Sequence, residues 1–247
     1  MQLGMIGLGK MGANMAERLV AAGHDVVGFD LSREAVDEVV ARGARGADSP
    51  DDLMAQLDPP RAVWIMVPQG DPVDATLAAL LPSAQPGDTF IDGGNSYYRD
   101  TLNRAELCSE GGTHFVDVGT SGGVWGLTDG YSMMVGGDET AVDRLRPIFE
   151  ALAPAPDKGW GRVGPSGSGH YVKMIHNGIE YGMMQSYAEG FALLQAKEEF
   201  GLDLAQIGDI WEHGSVVRSW LLDLTTAAWR ENPGMTEIAP YDPDSRE

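Results

Sequence analysis

Cysteine is nearly absent from this chain: Cys108 is the only one among 247 residues. No internal disulfide can therefore form, and a cysteine-based metal cluster is excluded. Positive charge is also scarce, with 17 Lys and Arg against 37 Asp and Glu and a net charge of −20. Such a chain repels nucleic-acid phosphates, so nucleic acid is excluded as a partner, and an anionic substrate needs locally placed cations. No apolar run is long enough to span a bilayer, so neither a transmembrane helix nor a membrane partner is expected. The chain opens on "MQLGMIGLG" with no basic segment or cleavage site before the first apolar stretch, which predicts a cytoplasmic protein. Internal repeats and low-complexity segments are missing too.

Within the charged set, four lysines stand against thirteen arginines, and aspartate outnumbers glutamate. That balance suits a high-salt cytoplasm, where an acidic surface stays hydrated, and equally a GC-rich genome. Hydrophobic residues make up 43% and charged residues 22%, the ordinary range for a globular protein. The length accommodates one large domain or two smaller ones.

Short β-rich runs alternate with helical patterns from the first residue. Strands are predicted at "QLGMIG", "DVVGFD", "AVWIMVP", "TFIDGG", "HFVDVG" and "YSMMVGG", and helices at "MGANMAERLVAAG", "PVDATLAALLPSA" and "YYRDTLNRAELCSEGG". This alternation implies an α/β fold with a Rossmann-type, doubly wound, mostly parallel sheet over residues 1–165. Cys108 falls late in a surface helix, where a small helix residue is expected and not a nucleophile.

After the glycine-rich turn "GRVGPSGSG" the pattern becomes helical. A long helix is predicted over 168–200, followed by helices at "DLAQIGDIWEHG" and "VVRSWLLDLTTAAWR", so residues 166–231 form a helical domain for substrate and oligomer contacts. Residues 232–247, rich in Pro, Asp and Glu, read as a loose tail. Three helices leave Trp211, Trp220, Leu221, Leu222, Leu224 and Trp229 with little of this chain to cover them, and a partner subunit is the expected cover.

Gly7-Leu8-Gly9-Lys10-Met11-Gly12 closes the first strand and opens the first helix. A bare GxGxxG is weak in a chain with 33 glycines, but its placement raises it. Gly7 permits the tight turn, Gly9 lets a pyrophosphate approach the backbone, and Gly12 lets helix and strand pack closely, with the phosphates on the helix N-terminus. Asp30 lies 18 residues after Gly12, near the spacing of a carboxylate that binds adenosine ribose hydroxyls. It would repel a 2′-phosphate, so NAD is favoured; Arg33, folding back, would admit NADP.

The segment "GSGHYVKMIHNGIEYG" sets Lys173, His176, Asn177 and Glu180 at i, i+3, i+4 and i+7, one helical stripe. Hydride removal from a secondary alcohol needs a base for the hydroxyl proton, and a lysine desolvated by a bound cofactor can serve. Glu180 is placed to act as an acid at another substrate carbon, with His176 and Asn177 holding oxygens between the two. Ser121-Gly122-Gly123 offers a hydroxyl and exposed N–H groups to a carboxylate, though an ordinary turn contains the same residues. Asn95, in "DGGNS", follows a strand where such sheets present ligand contacts.

Taken together, "GLGKMG", "DGGNS", "GTSGGVWG", "GHYVKMIHNGIEYGMMQ" and "WEHGSVVRSWLLDL" resemble the 6-phosphogluconate dehydrogenase family over residues 1 to about 231, and most closely its short, often NAD-linked form. The resemblance implies oxidative decarboxylation of 6-phosphogluconate to ribulose 5-phosphate. Lys173 would take the C3 hydroxyl proton and then, as the ammonium, polarise the new ketone. Glu180 would protonate C1 of the enediol. Asn95, Ser121, Gly122, Gly123, His176 and Asn177 would hold the sugar acid, and Tyr181 and Arg218 its phosphate. No metal is implied. The resemblance also implies a homodimer or homotetramer built through the helical domain.

Two departures from the family pattern appear. Asp30-Leu31-Ser32 replaces the Asn-Arg-Thr-like turn of the long NADP-linked enzymes, which supports NAD. The family's short form continues past a segment like "PDSGEGRW" into further helices, whereas this chain stops at "YDPDSRE", so the helical domain is expected to be incomplete. Two other readings stay open: a β-hydroxyacid dehydrogenase that does not decarboxylate, and a silent dinucleotide-binding protein. His24, His114, His170 and His213 are read as structural or surface residues.

Overall fold

The computed structural model describes residues 1–235; the tail expected over 232–247 lies mostly outside the described residues. The chain divides into two compact units, Met1–Met174 and the residues from Ile175 onward.

The first unit is built on one eight-stranded sheet: β1 (Gln2–Ile6), β2 (Asp25–Phe29), β3 (Arg45–Gly46), β4 (Ala62–Ile65), β5 (Thr89–Asp92), β6 (His114–Ser121), β7 (Ser132–Gly136) and β8 (Trp160–Gly164). Their order is β3-β2-β1-β4-β5-β6-β7-β8. All pairings are parallel except β6 with β7, where Val118 faces Val135 and Ser121 faces Ser132. Between the strands run α1 (Lys10–Ala21), α2 (Arg33–Ala41), α3 (Pro50–Ala55), α4 (Asp71–Leu80), α5 (Tyr98–Glu110), α6 (Gly126–Asp129), α7 (Glu139–Arg144) and α8 (Arg146–Leu152).

Side-chain alternation along the strands feeds two cores, one on each face of the sheet. Leu3 and Met5 of β1 join Met15 and Leu19 of α1 and Phe149 of α8 on one face. Ile6, Val63 and Phe90 join Leu53, Leu77 and Cys108 on the other. Cys108 is thus fully buried: its helix lies at the surface, but the thiol points into the sheet.

Three boundaries differ from the sequence expectation. The predicted turn "GRVGPSGSG" begins with a strand, because β8 pairs in parallel with β7 from Met133–Trp160 onward. Glycine lowers local strand propensity, and the ladder to a neighbour far along the chain overrides it. The long helix α9 (Ser168–Gln195) stops short of residue 200, and a separate 3-10 turn (Glu198–Phe200) leads to Gly201 at φ +55°. After α10 (Leu204–Glu212), α11 (Trp220–Glu231) begins only at Trp220, because the Ser219 side chain caps the N–H of Leu222. Residues 216–218 are therefore outside the helix predicted to contain them.

The second unit has its own small core of Phe191, Leu204, Leu222 and Trp229, with Trp211 packed against it. Phe191 stacks on Trp229 with ring centroids 6.1 Å apart and meets Trp211 edge-on at 5.7 Å. This corrects the expectation that Leu222, Trp229 and Trp211 lack cover within the chain. Trp220 and Leu224 do remain exposed, as do Ile175, Ile179 and Met184 of α9. Among the described residues, no helix is long and apolar enough to cross a membrane.

Candidate active site

Two of the three motif glycines are demanded by the fold and one is left open. Gly7 has φ +90°, and a Cβ there would lie 2.5 Å from the Met66 carbonyl oxygen. A Cβ on Gly12 would lie 1.9 Å from the Gly7 carbonyl oxygen. At Gly9, the N-cap of α1, a Cβ would meet nothing within 4 Å. The first turn of α1 carries no acidic residue, so its positive end faces an open approach beside bare backbone. Lys10 is exposed, Leu8 is buried, and Met11 packs partly into the core. This cradle has the shape and dipole that a dinucleotide pyrophosphate requires.

Asp30 directly follows the next strand, β2, and is half-buried. Its carboxylate accepts the N–H of Leu8 at 2.7 Å and the N–H of Ser32 at 2.8 Å, which ties it to the glycine turn. Each oxygen keeps a further lone pair for ribose hydroxyls. Arg33 is paired with two acids, its Nε 2.9 Å from Asp37 and its Nη1 2.6 Å from Asp48.

Strand β5 delivers Asn95, half-buried, between two residues bound to Asp92. The Gly94 N–H donates to Asp92 Oδ1 at 3.1 Å and the Ser96 hydroxyl donates to Oδ2 at 2.7 Å. Strand β6 delivers Ser121, after which Gly122 and Gly123 adopt φ +129° and +48°. Both lie in the left-handed region, and around Gly123 a Cβ would meet nothing within 4 Å. The turn therefore presents bare backbone at Gly123.

Lys173 is only 6% exposed although it carries an amine. Two features hold its helix against β6. Asp117, wholly buried in that strand, accepts the N–H groups of Gly167 at 2.7 Å and His170 at 2.9 Å, satisfying the start of α9. Gly119, two residues on, has no side chain where Lys173 passes. His170 is buried with Nδ1 2.7 Å from the Thr101 hydroxyl, which fits the structural role expected for it.

In the second unit, His176 Nδ1 lies 3.2 Å from Asn177 Oδ1 and 3.6 Å from Glu180 Oε2. The imidazole and the carboxylate therefore share one face, with Asn177 buried beside them. Tyr181 and Arg218 are both exposed. Sequence reasoning missed Tyr187, whose hydroxyl donates to the Val217 carbonyl at 2.5 Å and lies 2.8 Å from the Ser219 hydroxyl, so it holds the turn that carries Arg218. It missed Asp117 and Asp92 as well. An acid directly after apolar strand residues, Phe-Ile-Asp in β5 and Phe-Val-Asp in β6, was the available signal for both.

Among the described residues, no group of three or more His, Cys, Asp or Glu side chains is placed to hold a metal ion. A glycine cradle at a helix start, with an acid just after the next strand bonded to it, is the arrangement of a dinucleotide-binding fold.

Comparison with known proteins narrows that class. Residues 2–161 match the family model for the NAD binding domain of 6-phosphogluconate dehydrogenase, and residues 169–197 that for its C-terminal domain. A Haloferax volcanii protein named 6-phosphogluconate dehydrogenase, NAD(+)-dependent, decarboxylating, is 51% identical over 231 residues, which are 94% of this chain and 76% of that one. The solved Plasmodium falciparum 6-phosphogluconate dehydrogenase superposes with a TM-score of 0.85 at 30% identity, over 92% of this chain and 50% of that one. Mycobacterium tuberculosis 3-hydroxyisobutyrate dehydrogenase gives a TM-score of 0.76 at 31% identity, over 89% and 72%. The chain belongs to the 6-phosphogluconate dehydrogenase family.

Proposed function

We propose that the chain converts 6-phosphogluconate and NAD to ribulose 5-phosphate, CO2 and reduced cofactor. The observation that carries this reading is the burial of Lys173 beside Gly119, two residues before the Ser121–Gly123 turn. A buried amine can cycle between proton acceptor and proton donor without competition from water. Bound NAD supplies the acceptor for the hydride from C3. Lys173 takes the proton of the C3 hydroxyl, then as the ammonium donates a hydrogen bond to the ketone oxygen. That polarisation lets the C1 carboxylate leave as CO2, its bonding electrons passing into an enediol. Glu180 returns a proton to the enediol carbon that becomes C1 of ribulose 5-phosphate, with His176 3.6 Å away to hold its charge.

Asn95, Ser121, Gly122, Gly123, His176 and Asn177 would hold the sugar acid, and Tyr181 and Arg218 its phosphate. The reading puts the protein in the cytoplasm, in the oxidative branch of the pentose phosphate pathway. NAD is preferred because the Asp30 carboxylate, tied to the glycine turn, would repel a 2′-phosphate, while Arg33 is paired with Asp37 and Asp48. Exposed Ile175, Ile179, Trp220 and Leu224 support a homodimer or homotetramer joined through the helical unit.

A second reading, a β-hydroxyacid dehydrogenase without decarboxylation, draws on the likeness to 3-hydroxyisobutyrate dehydrogenase. One experiment separates the two. The purified chain is given 6-phosphogluconate or 3-hydroxyisobutyrate with NAD or NADP at low and high salt, and nicotinamide reduction and CO2 release are followed together, with Lys173→Ala as control. Equal yields of reduced cofactor and CO2 support the proposal. Turnover of 3-hydroxyisobutyrate alone would replace it.

A further inference from the structure

Arg104 is 3% exposed and takes no part in the proposed chemistry. Its guanidinium nevertheless reaches both the end of β5 and the point where the loop after β4 enters α4. Nε donates to Asp74 Oδ1 at 2.7 Å, Nη2 to the Gly70 carbonyl at 3.2 Å, and Nη1 to the Ser96 hydroxyl at 3.4 Å. Asp92 Oδ2, fully buried, lies 3.5 Å from Nη1. Gly70 belongs to the loop after β4, and Asp92 and Ser96 bracket the loop after β5. Both loops lie at the carboxyl edge, the first beside the point between β1 and β4 where the strand order reverses and the second one strand further along. Ligands of doubly wound sheets bind at that edge.

We propose that Arg104 is a positioning residue, locking the β5 loop to the β4 loop so that Asn95 is presented in a fixed place to dinucleotide and substrate. The inference rests on the reading of Asn95 as a ligand-binding residue. Asn95 sits between Gly94 and Ser96, both bound to Asp92, and Asp92 is in turn faced by Arg104. A guanidinium suits such a lock, because its planar fork meets acceptors in several directions at once, whereas an ammonium on a flexible stem does not. A bridge serving stability alone would only need to join α4 to α5. This one also reaches the loop ends.

The test uses Arg104→Lys and Ser96→Ala in the full chain. Ser96→Ala removes the hydroxyl that links Asp92 to Arg104 and keeps both charges paired, so it stays informative where Arg104→Lys fails to fold. NAD affinity by calorimetric titration, amide hydrogen exchange of residues 93–97 and the thermal unfolding midpoint are measured for each. Expected is about a tenfold loss of NAD affinity in Arg104→Lys and a several-fold loss in Ser96→Ala, the scale for a slightly misplaced site residue. Exchange of the loop should accelerate, while Ser96→Ala keeps a near-native midpoint. Unchanged affinity and loop exchange in folded variants would overturn the proposal, as would a loss of affinity that merely follows the unfolding midpoint. NAD affinity is read without 6-phosphogluconate. A wild-type chain that binds NAD but does not turn over that substrate would therefore sink the proposed function and leave this inference to be judged on its own.

Discussion

Lys173 crosses β6 at Gly119 so closely that a Cβ on the glycine would lie 2.4 Å from the lysine Cβ and 2.7 Å from the Gly169 carbonyl oxygen. The strand and the lysine helix touch backbone to backbone, and the amine inherits its depth from that contact. Gly119→Ala should push α9 off the strand, costing about 1–3 kcal/mol of stability. With Lys173 as the proposed base, turnover should fall on the order of a hundredfold, since small misplacements of a reacting group are that costly. Thermal unfolding and steady-state rates at saturating 6-phosphogluconate check both.

The glycine turn separates folding from binding. Gly12→Ala would set a Cβ 1.9 Å from the Gly7 oxygen, so it should destabilise the chain with or without ligand. Gly9→Ala meets nothing within 4 Å and should unfold like wild type, yet lose NAD affinity about tenfold because the methyl occupies the phosphate approach. If calorimetry shows Gly9→Ala binding NAD normally, the phosphates do not sit on α1.

Cofactor choice should turn on the charge of Asp30. Asp30→Asn keeps an oxygen for the Leu8 N–H while removing the repulsion of a 2′-phosphate. The ratio of kcat/KM for NADP over NAD should rise on the order of tenfold, equivalent to relief of about 1–2 kcal/mol between neighbouring like charges. An unchanged ratio would place the ribose elsewhere.

Burial pushes the Cys108 thiol up to about 11. At pH 8 the native chain should not react with a thiol reagent, and one equivalent should react once denaturant is added. Rapid native labelling would show that α5 opens easily.

Asp138 caps α7 by accepting the N–H groups of Thr140 and Ala141. Its carboxyl is held below the usual range, first by the Thr140 hydroxyl and then by the Ala141 N–H. A lowered folded value means the charged form favours the native state. Its contribution is full above the ordinary value of 3.8 and is lost as pH falls through the folded value. Asp138→Ala should cost about 1 kcal/mol at pH 7, and the gap to wild type should close below pH 3.8 in denaturant titrations.

Much of this protein was legible in sequence because the relevant physics is local. Strand–helix alternation follows from side-chain periodicity, and the turn at Gly7, Gly9 and Gly12 follows from backbone freedom next to a helix start. The stripe of Lys173, His176, Asn177 and Glu180 follows from 3.6 residues per turn. Position along the chain could not reveal what depends on distant partners. Strand β8 forms from a glycine-rich stretch only because β7 offers it a ladder. Helix α11 starts late because Ser219 caps it, and Tyr187 on another helix holds that turn. Trp229 and Leu222 look like partner-facing residues until Phe191 is folded against them. Asp92 and Arg104 are merely two charges twelve residues apart until β5 and α5 bury them together. Residue types and spacing thus determined the class of fold and the inventory of reactive groups. Tertiary structure decided which of those groups are held rigid, because burial and long-range pairing arise only once the chain has closed on itself.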